Sequence, residues 1–122
     1  MKYTYEMLVK QGEDLYLVLE IQDENSTPID LTGHTFRGQI RKTASDSTIV
    51  ASFSFNILNQ TTDTGKVEVT LSSAVSSSIQ LNSSLQAQRT LTFMAYDIES
   101  EYVGRVTRWL EGRAIISPEV TR

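Results

Sequence analysis

The chain has no cysteine. That excludes disulfides, thiolate metal sites and cysteine nucleophiles together. Small domains made for secretion often carry disulfides, so their absence points to folding in a cytoplasm. No apolar run approaches the ~20 residues that a membrane-spanning helix needs. The opening Met1-Lys-Tyr-Thr-Tyr-Glu6 lacks the apolar core of a secretory signal. Cations are not clustered beyond Arg41-Lys42, and the net charge is −4 with both signs interspersed. Nucleic-acid binding draws on several grouped phosphate contacts, so neither nucleic acid nor membrane is an expected partner. Glycine is sparse and scattered, at Gly33, Gly38, Gly65, Gly104 and Gly112 among others. No phosphate-cradling loop is present, and these residues read as turn and bend glycines.

What the chain does have is period-two patterning. Its 122 residues fit one domain spanning 1–122. Tyr3, Tyr5, Met7 and Val9 alternate with polar residues and predict a first strand. Leu15, Leu17, Leu19 and Ile21 occupy every second position, with Tyr16 and Val18 between them. Residues two apart share a strand face, whereas a helix needs apolar spacings of three and four. Asp23 to Pro28 is a turn cluster, and Ile29 to Gly33 reads as a short edge segment ending in a bend. From Thr35 to Lys42, Phe36, Gly38 and Ile40 oppose Arg37, Gln39 and Arg41. Thr43 to Thr48 reads as a loop. Ala51, Phe53, Phe55 and Ile57 predict a further strand, and Asn59 to Gly65 a turn before Val67, Val69 and Leu71.

Ser72 to Leu81 breaks the alternation. A serine hydroxyl there can cap a helix, and Val75 and Ile79 would share its inner face. The expectation is one short helix near residues 72–80, then a polar loop over 82–88. The last quarter reads as a β-meander. Its strands are Arg89 to Glu99, Arg105 to Glu111 and Arg113 to Ser117, with bends at Ser100 to Gly104 and at Gly112. Seven or eight short strands at intervals of ~8–12 residues favour a sandwich over a single sheet. The expected fold is all-β: an immunoglobulin-like sandwich of antiparallel strands.

Candidate chemistry is thin. His34 sits at a bend, and a catalytic serine–histidine pair would need a nucleophile beside it. No serine lies in a strained Gly-x-Ser-x-Gly turn, so His34 reads as a surface or turn histidine. Two acidic groups, Asp23/Glu24/Asp30 and Asp97/Glu99/Glu101, lack the spacing of a calcium loop and read as solvated polar faces. Trp109, with Tyr102 and Tyr96 nearby, would suit sugar stacking, although a buried or interface tryptophan is the commoner case. No catalytic, cofactor or metal residues are assigned.

Two features point to assembly. Strands 15–21 and 90–98 are apolar on both faces; Leu91, Phe93 and Ala95 oppose Met94, Tyr96 and Ile98. One face meets the core and the other needs covering, by another subunit among other means. After Lys66 every basic residue is arginine: Arg89, Arg105, Arg108, Arg113 and Arg122. The planar guanidinium suits partly buried ion pairs and interfaces. The candidate interface residues are Tyr16, Val18, Met94, Tyr96, Arg105, Arg108 and Trp109.

Several segments carry a resemblance. They are Leu8-Val-Lys-Gln-Gly12, Pro28-Ile-Asp-Leu-Thr-Gly33, Gln39-Ile-Arg41, Tyr96-Asp-Ile-Glu99, Gly104-Arg-Val-Thr-Arg-Trp-Leu-Glu-Gly112 and Ser117-Pro-Glu-Val-Thr-Arg122. In order and spacing the chain resembles a small structural protein of tailed bacteriophages and prophages. In layout it is similar to the immunoglobulin-like N-terminal domain of phage baseplate upper proteins. The resemblance implies a non-enzymatic virion component of tail, baseplate or neck, assembled in the host cytoplasm. It also implies partners among other virion proteins or copies of itself. The alternative class is a carbohydrate- or receptor-binding module using Trp109 and Tyr102.

Overall fold

In the computed structural model, which describes residues 3–79 and 92–118, the leucine alternation becomes one flank of a two-sheet sandwich. The larger sheet contains β1 (Tyr3–Thr4), β2 (Met7–Lys10), β4 (Thr35–Arg41), β5 (Ala51–Ser52), β8 (Thr92–Tyr102) and β9 (Arg105–Ser117). Its order is β1-β9-β8-β4-β5, with β2 following β1 along β9. The smaller sheet has the order β3-β7-β6, from β3 (Leu15–Glu20), β6 (Ser54–Ile57) and β7 (Lys66–Leu71). The fold is therefore all-β, with one short helix among the described residues. The expected loop 82–88 and the start of the expected strand, Arg89 to Leu91, lie outside those residues, as do residues 119–122 of the closing segment.

Alternation decides which side chains are buried. In β7, Val67, Val69 and Leu71 point inward, and in β4 Gly38 and Ile40 do so. Met7, Val9, Ile98, Ala114 and Ile116 meet them from the larger sheet in one continuous core. A second cluster, of Ile21, Leu31, Val67 and Trp109, closes one end of the sandwich.

Four features depart from the sequence expectation. β1 and β2 pair with β9 in parallel, while all other described strand pairs are antiparallel. The run Ala51–Ile57 is two strands, because the chain leaves the larger sheet at Phe53 and joins the smaller one. The residues 29–33 form no strand; only an isolated bridge between Gln22 and Pro28 precedes them. Nor is there a three-stranded meander at the end. β8 and β9 form one long hairpin that turns through Val103 and Gly104, both at positive φ. Ser100 to Tyr102 belong to β8, and Gly112 lies within β9 without breaking it.

Gly112 has a different task. A Cβ there would lie 2.3 Å from the carbonyl oxygen of Tyr5. Its hydrogen lets the first strand lie against β9, where Tyr5 N donates to Glu111 O at 3.0 Å.

The helix α1 (Ser73–Ser77) begins as expected, with Ser72 Oγ accepting from Val75 N. Val75 packs against the core and Ile79 is buried. Ser76 Oγ accepts from Gly12 N and donates to Glu13 O, fastening the helix to the turn between β2 and β3.

Candidate functional site

The β8–β9 pairing contains a bulge. Ile98 faces Leu110, yet Glu99 faces Arg108, so Trp109 is the extra residue. A bulge shifts side-chain parity along the strand it interrupts. In β9 the inward positions are even from Leu110 onward, and the bulge turns Trp109 inward beside Leu110. Simple alternation would have buried only one of the two. The indole is 9% exposed, and Nε1–H donates to Ser100 Oγ at 2.8 Å.

Ser100 Oγ also lies 3.1 Å from His34 Nδ1. With the indole donating to the hydroxyl, the serine proton is free to be given to Nδ1, which places the neutral imidazole's own proton on Nε2. The His34 ring stacks on Tyr102, centroids 4.6 Å apart and planes 7° from parallel. Burial lowers the His34 pKa below the ordinary histidine value, and the charge of Asp30 opposes that in part. His34 is thus a turn histidine as expected, its main-chain N–H donating to Leu31 O at 3.0 Å, but one half-buried in a packed cluster. The pair has the elements of a nucleophile and base but not the access. Ser100 is 1% exposed and its oxygen is occupied by the indole.

The acidic residues at alternate positions of β8 face arginines. Arg37 on β4 reaches Glu99 at 2.6 Å and Glu101 at 3.2 Å. Arg108 on β9 reaches Asp97 at 3.3 Å and Glu111 at 3.5 Å. These pairs lie on the outer face of the larger sheet.

The structure divides the candidate interface residues. Tyr16 and Val18 are exposed on the outer face of the smaller sheet. Tyr16 donates to the Glu68 carboxylate, which also accepts from Asn56 Nδ2 at 2.7 Å. Those contacts raise the tyrosine pKa and lower that of the glutamate. Arg105 is exposed beside the hairpin turn, and Arg108 is exposed in the ion-pair row. Met94 and Tyr96 do not belong to a surface: they are 5% and 4% exposed and face the core. The outward side of β8 is the opposite set, with Phe93 exposed. The physical reason is that Tyr96 has an internal acceptor for its hydroxyl, the Tyr5 carbonyl at 2.6 Å. Phe93 instead lies under the Arg113 guanidinium, 4.9 Å from its centroid. Trp109 is likewise mostly buried, and reaches the surface only as one wall of a groove between β3 and β9.

Residues outside the candidate interface set complete the outer surface. Leu8 and Phe93 both lie in register with Ile115, forming an apolar row across β2, β9 and β8. At the hairpin end Tyr102, Val103 and Val106 are exposed, Val103 to 83%. Where the two sheets part, a groove of about 330 Å³ is lined by Leu19, Glu20, Ile21, Gln22, Trp109 and Leu110. It runs between β3 and β9, and no single stretch of sequence announces it.

No protein-family model matches the chain, and none of the curated proteins compared with it is similar enough to count as a match.

Proposed function

We propose that this chain is a non-enzymatic structural component of a tailed-phage virion, in the tail, baseplate or neck, working through contacts with other virion proteins or copies of itself. The observation that carries the contact-making part is the apolar surface left on both outer faces. Tyr16 and Val18 lie on one sheet, and Leu8, Phe93 and Val106 on the other. Small sandwiches suit building by repeated contact. The phage assignment draws on the sequence resemblance.

We read the sandwich as immunoglobulin-like. Two strand orders support this: β3-β7-β6 corresponds to B-E-D, and β9-β8-β4-β5 to G-F-C-C′. The carbohydrate reading loses its main support, because the Trp109 ring is mostly buried and its N–H is already bonded.

The test is to purify particles from the producing bacterium by density gradient and probe the band with an antibody to this chain. Co-migration with intact particles, and labelling at one end of them by immunogold microscopy, is the expected result. Particles that lack the chain while host lysate contains it would overturn the reading.

A further inference from the structure

The edge of β3 has no strand beside it among the described residues. Which backbone groups this leaves open follows from the register. Leu15 faces Leu71 and Leu19 faces Val67, and beyond the strand Ile21 N donates to Gly65 O at 2.7 Å. In an antiparallel ladder, alternate residues turn both N–H and C=O toward the neighbour, and the others turn both away. The odd residues of β3 therefore bond β7. The N–H and C=O groups of Tyr16, Val18 and Glu20 point to the open side.

Beside that open edge lies the groove formed by Leu19, Ile21, Trp109 and Leu110. A strand added to β3 would place alternate side chains in this apolar groove. The remaining side chains would lie on the outer face, next to Tyr16 and Val18. Long open edges are usually blunted by lysine, proline or a bulge. None of these occurs between Leu15 and Glu20.

Charge selects the occupant. Glu13 and Asp14 precede β3, Glu20 ends it, and Glu68 lies across from Val18. The one cation opposite the strand, Lys66 facing Glu20, reaches toward Asp63 at 3.9 Å. A second copy pairing edge to edge, with Leu17 against Leu17, would set Asp14 against Glu20. That like-charge opposition disfavours this register, and in any register a second copy offers the edge no cation, because Glu13, Asp14 and Glu20 are the only charged residues from 13 to 20.

We infer that the β3 edge accepts an extended segment of a partner chain by strand addition, with apolar residues at alternate positions and basic residues between them. This inference rests on the reading that the protein works through protein contacts, but not on its place in a virion.

The probe is an acetylated, amidated heptapeptide, Lys-Val-Arg-Val-Lys-Val-Thr, titrated into the 15N-labelled full chain. Saturable shifts centred on the amides of Tyr16, Val18 and Glu20, with at least tenfold slower exchange of those amides, are expected. Trp109 fluorescence should change in parallel. Val18→Pro removes an open-side donor without touching a bond to β7, and should weaken binding at least tenfold. Glu20→Lys, an exposed change that spares the backbone, should also weaken it and should improve binding of a peptide with Glu in place of Lys and Arg. No shift at millimolar peptide overturns the inference, as does binding that ignores both variants. Concentration-dependent protection of the same amides without peptide would overturn it in favour of a second copy. None of these outcomes bears on whether particles contain the chain, so the two readings fail separately.

Discussion

The phenol of Tyr96 donates to the main-chain carbonyl of Tyr5 at 2.6 Å, in the row where Gly112 faces Tyr96 from β9. The phenol and the missing side chain thus add to the parallel pairing with β9 at the point where the chain passes from β1 to β2. Tyr96→Phe keeps the ring and leaves that carbonyl without the phenol. A cost of roughly 1–2 kcal/mol is expected, read as a lower urea midpoint. Burial, and then the charge of Tyr5, raises the Tyr96 pKa well above the ordinary tyrosine value. Above pH ~10 the unfolded phenol releases its proton while the folded one keeps it. The native state then binds more protons, so stability falls as pH rises through that window. The fall should be shallower in Tyr96→Phe.

Two glycines of β9 and its turn should respond differently to alanine. Gly112→Ala sets a Cβ against the Tyr5 backbone, which cannot swing aside as a side chain would. A loss of about 1–3 kcal/mol is expected, with faster amide exchange across residues 3–10. Gly104→Ala meets nothing within 4 Å, but its φ is +75°. Its cost is the left-handed backbone alone, roughly 1–2 kcal/mol, with no change in exchange of the first strand. Equal exchange profiles in the two variants would refute the close-approach argument.

These glycines mark the limit of what the sequence makes legible. The alternation of Leu15 to Ile21, of Phe36 to Ile40 and of Val67 to Leu71 identified real strands and their inward faces, because a half-buried strand imposes period two. The helix start at Ser72 was equally readable, being a local hydrogen bond. β8 is apolar on both sides, so parity alone does not choose its inner face, and the expectation that Met94 and Tyr96 face outward is reversed by burial and by the distant Tyr5 carbonyl. The bulge at Trp109 depends on the β8 register, and the groove needs β3 and β9 together. Nor does Gly112 reveal in the sequence whether it turns the chain or admits a neighbour.

Ser100 and Trp109 should behave as a coupled pair. Ser100→Ala leaves a buried indole N–H without its acceptor, at a cost of about 1–3 kcal/mol. In a Trp109→Phe background that donor is gone, so the same serine change should cost less by about 1 kcal/mol. A double-mutant cycle from urea unfolding reads the difference. Strict additivity would mean the 2.8 Å contact contributes nothing to stability.

His34 supplies the last prediction, and its sign follows from the direction of the pKa shift. Ser100 Oγ accepts from the indole and has one proton left for His34 Nδ1. A protonated ring would present a second donor to that hydroxyl, which could no longer give its own proton to the ring. Burial already disfavours the imidazolium, lowering the folded pKa below 6.5 despite Asp30. As pH falls through 6.5 the unfolded chain takes up its proton first, so stability should fall until the folded pKa is reached. His34→Gln removes this titration. The comparison is the urea midpoint at pH 7.5, 6.5 and 5.5, conditions chosen about one unit either side of the ordinary histidine value. The wild-type midpoint should drop across that range by more than the variant's, with Trp109 fluorescence following in the same direction. Parallel curves for the two proteins would show that His34 carries no protonation-linked stability, and that its place beside Ser100 is steric only.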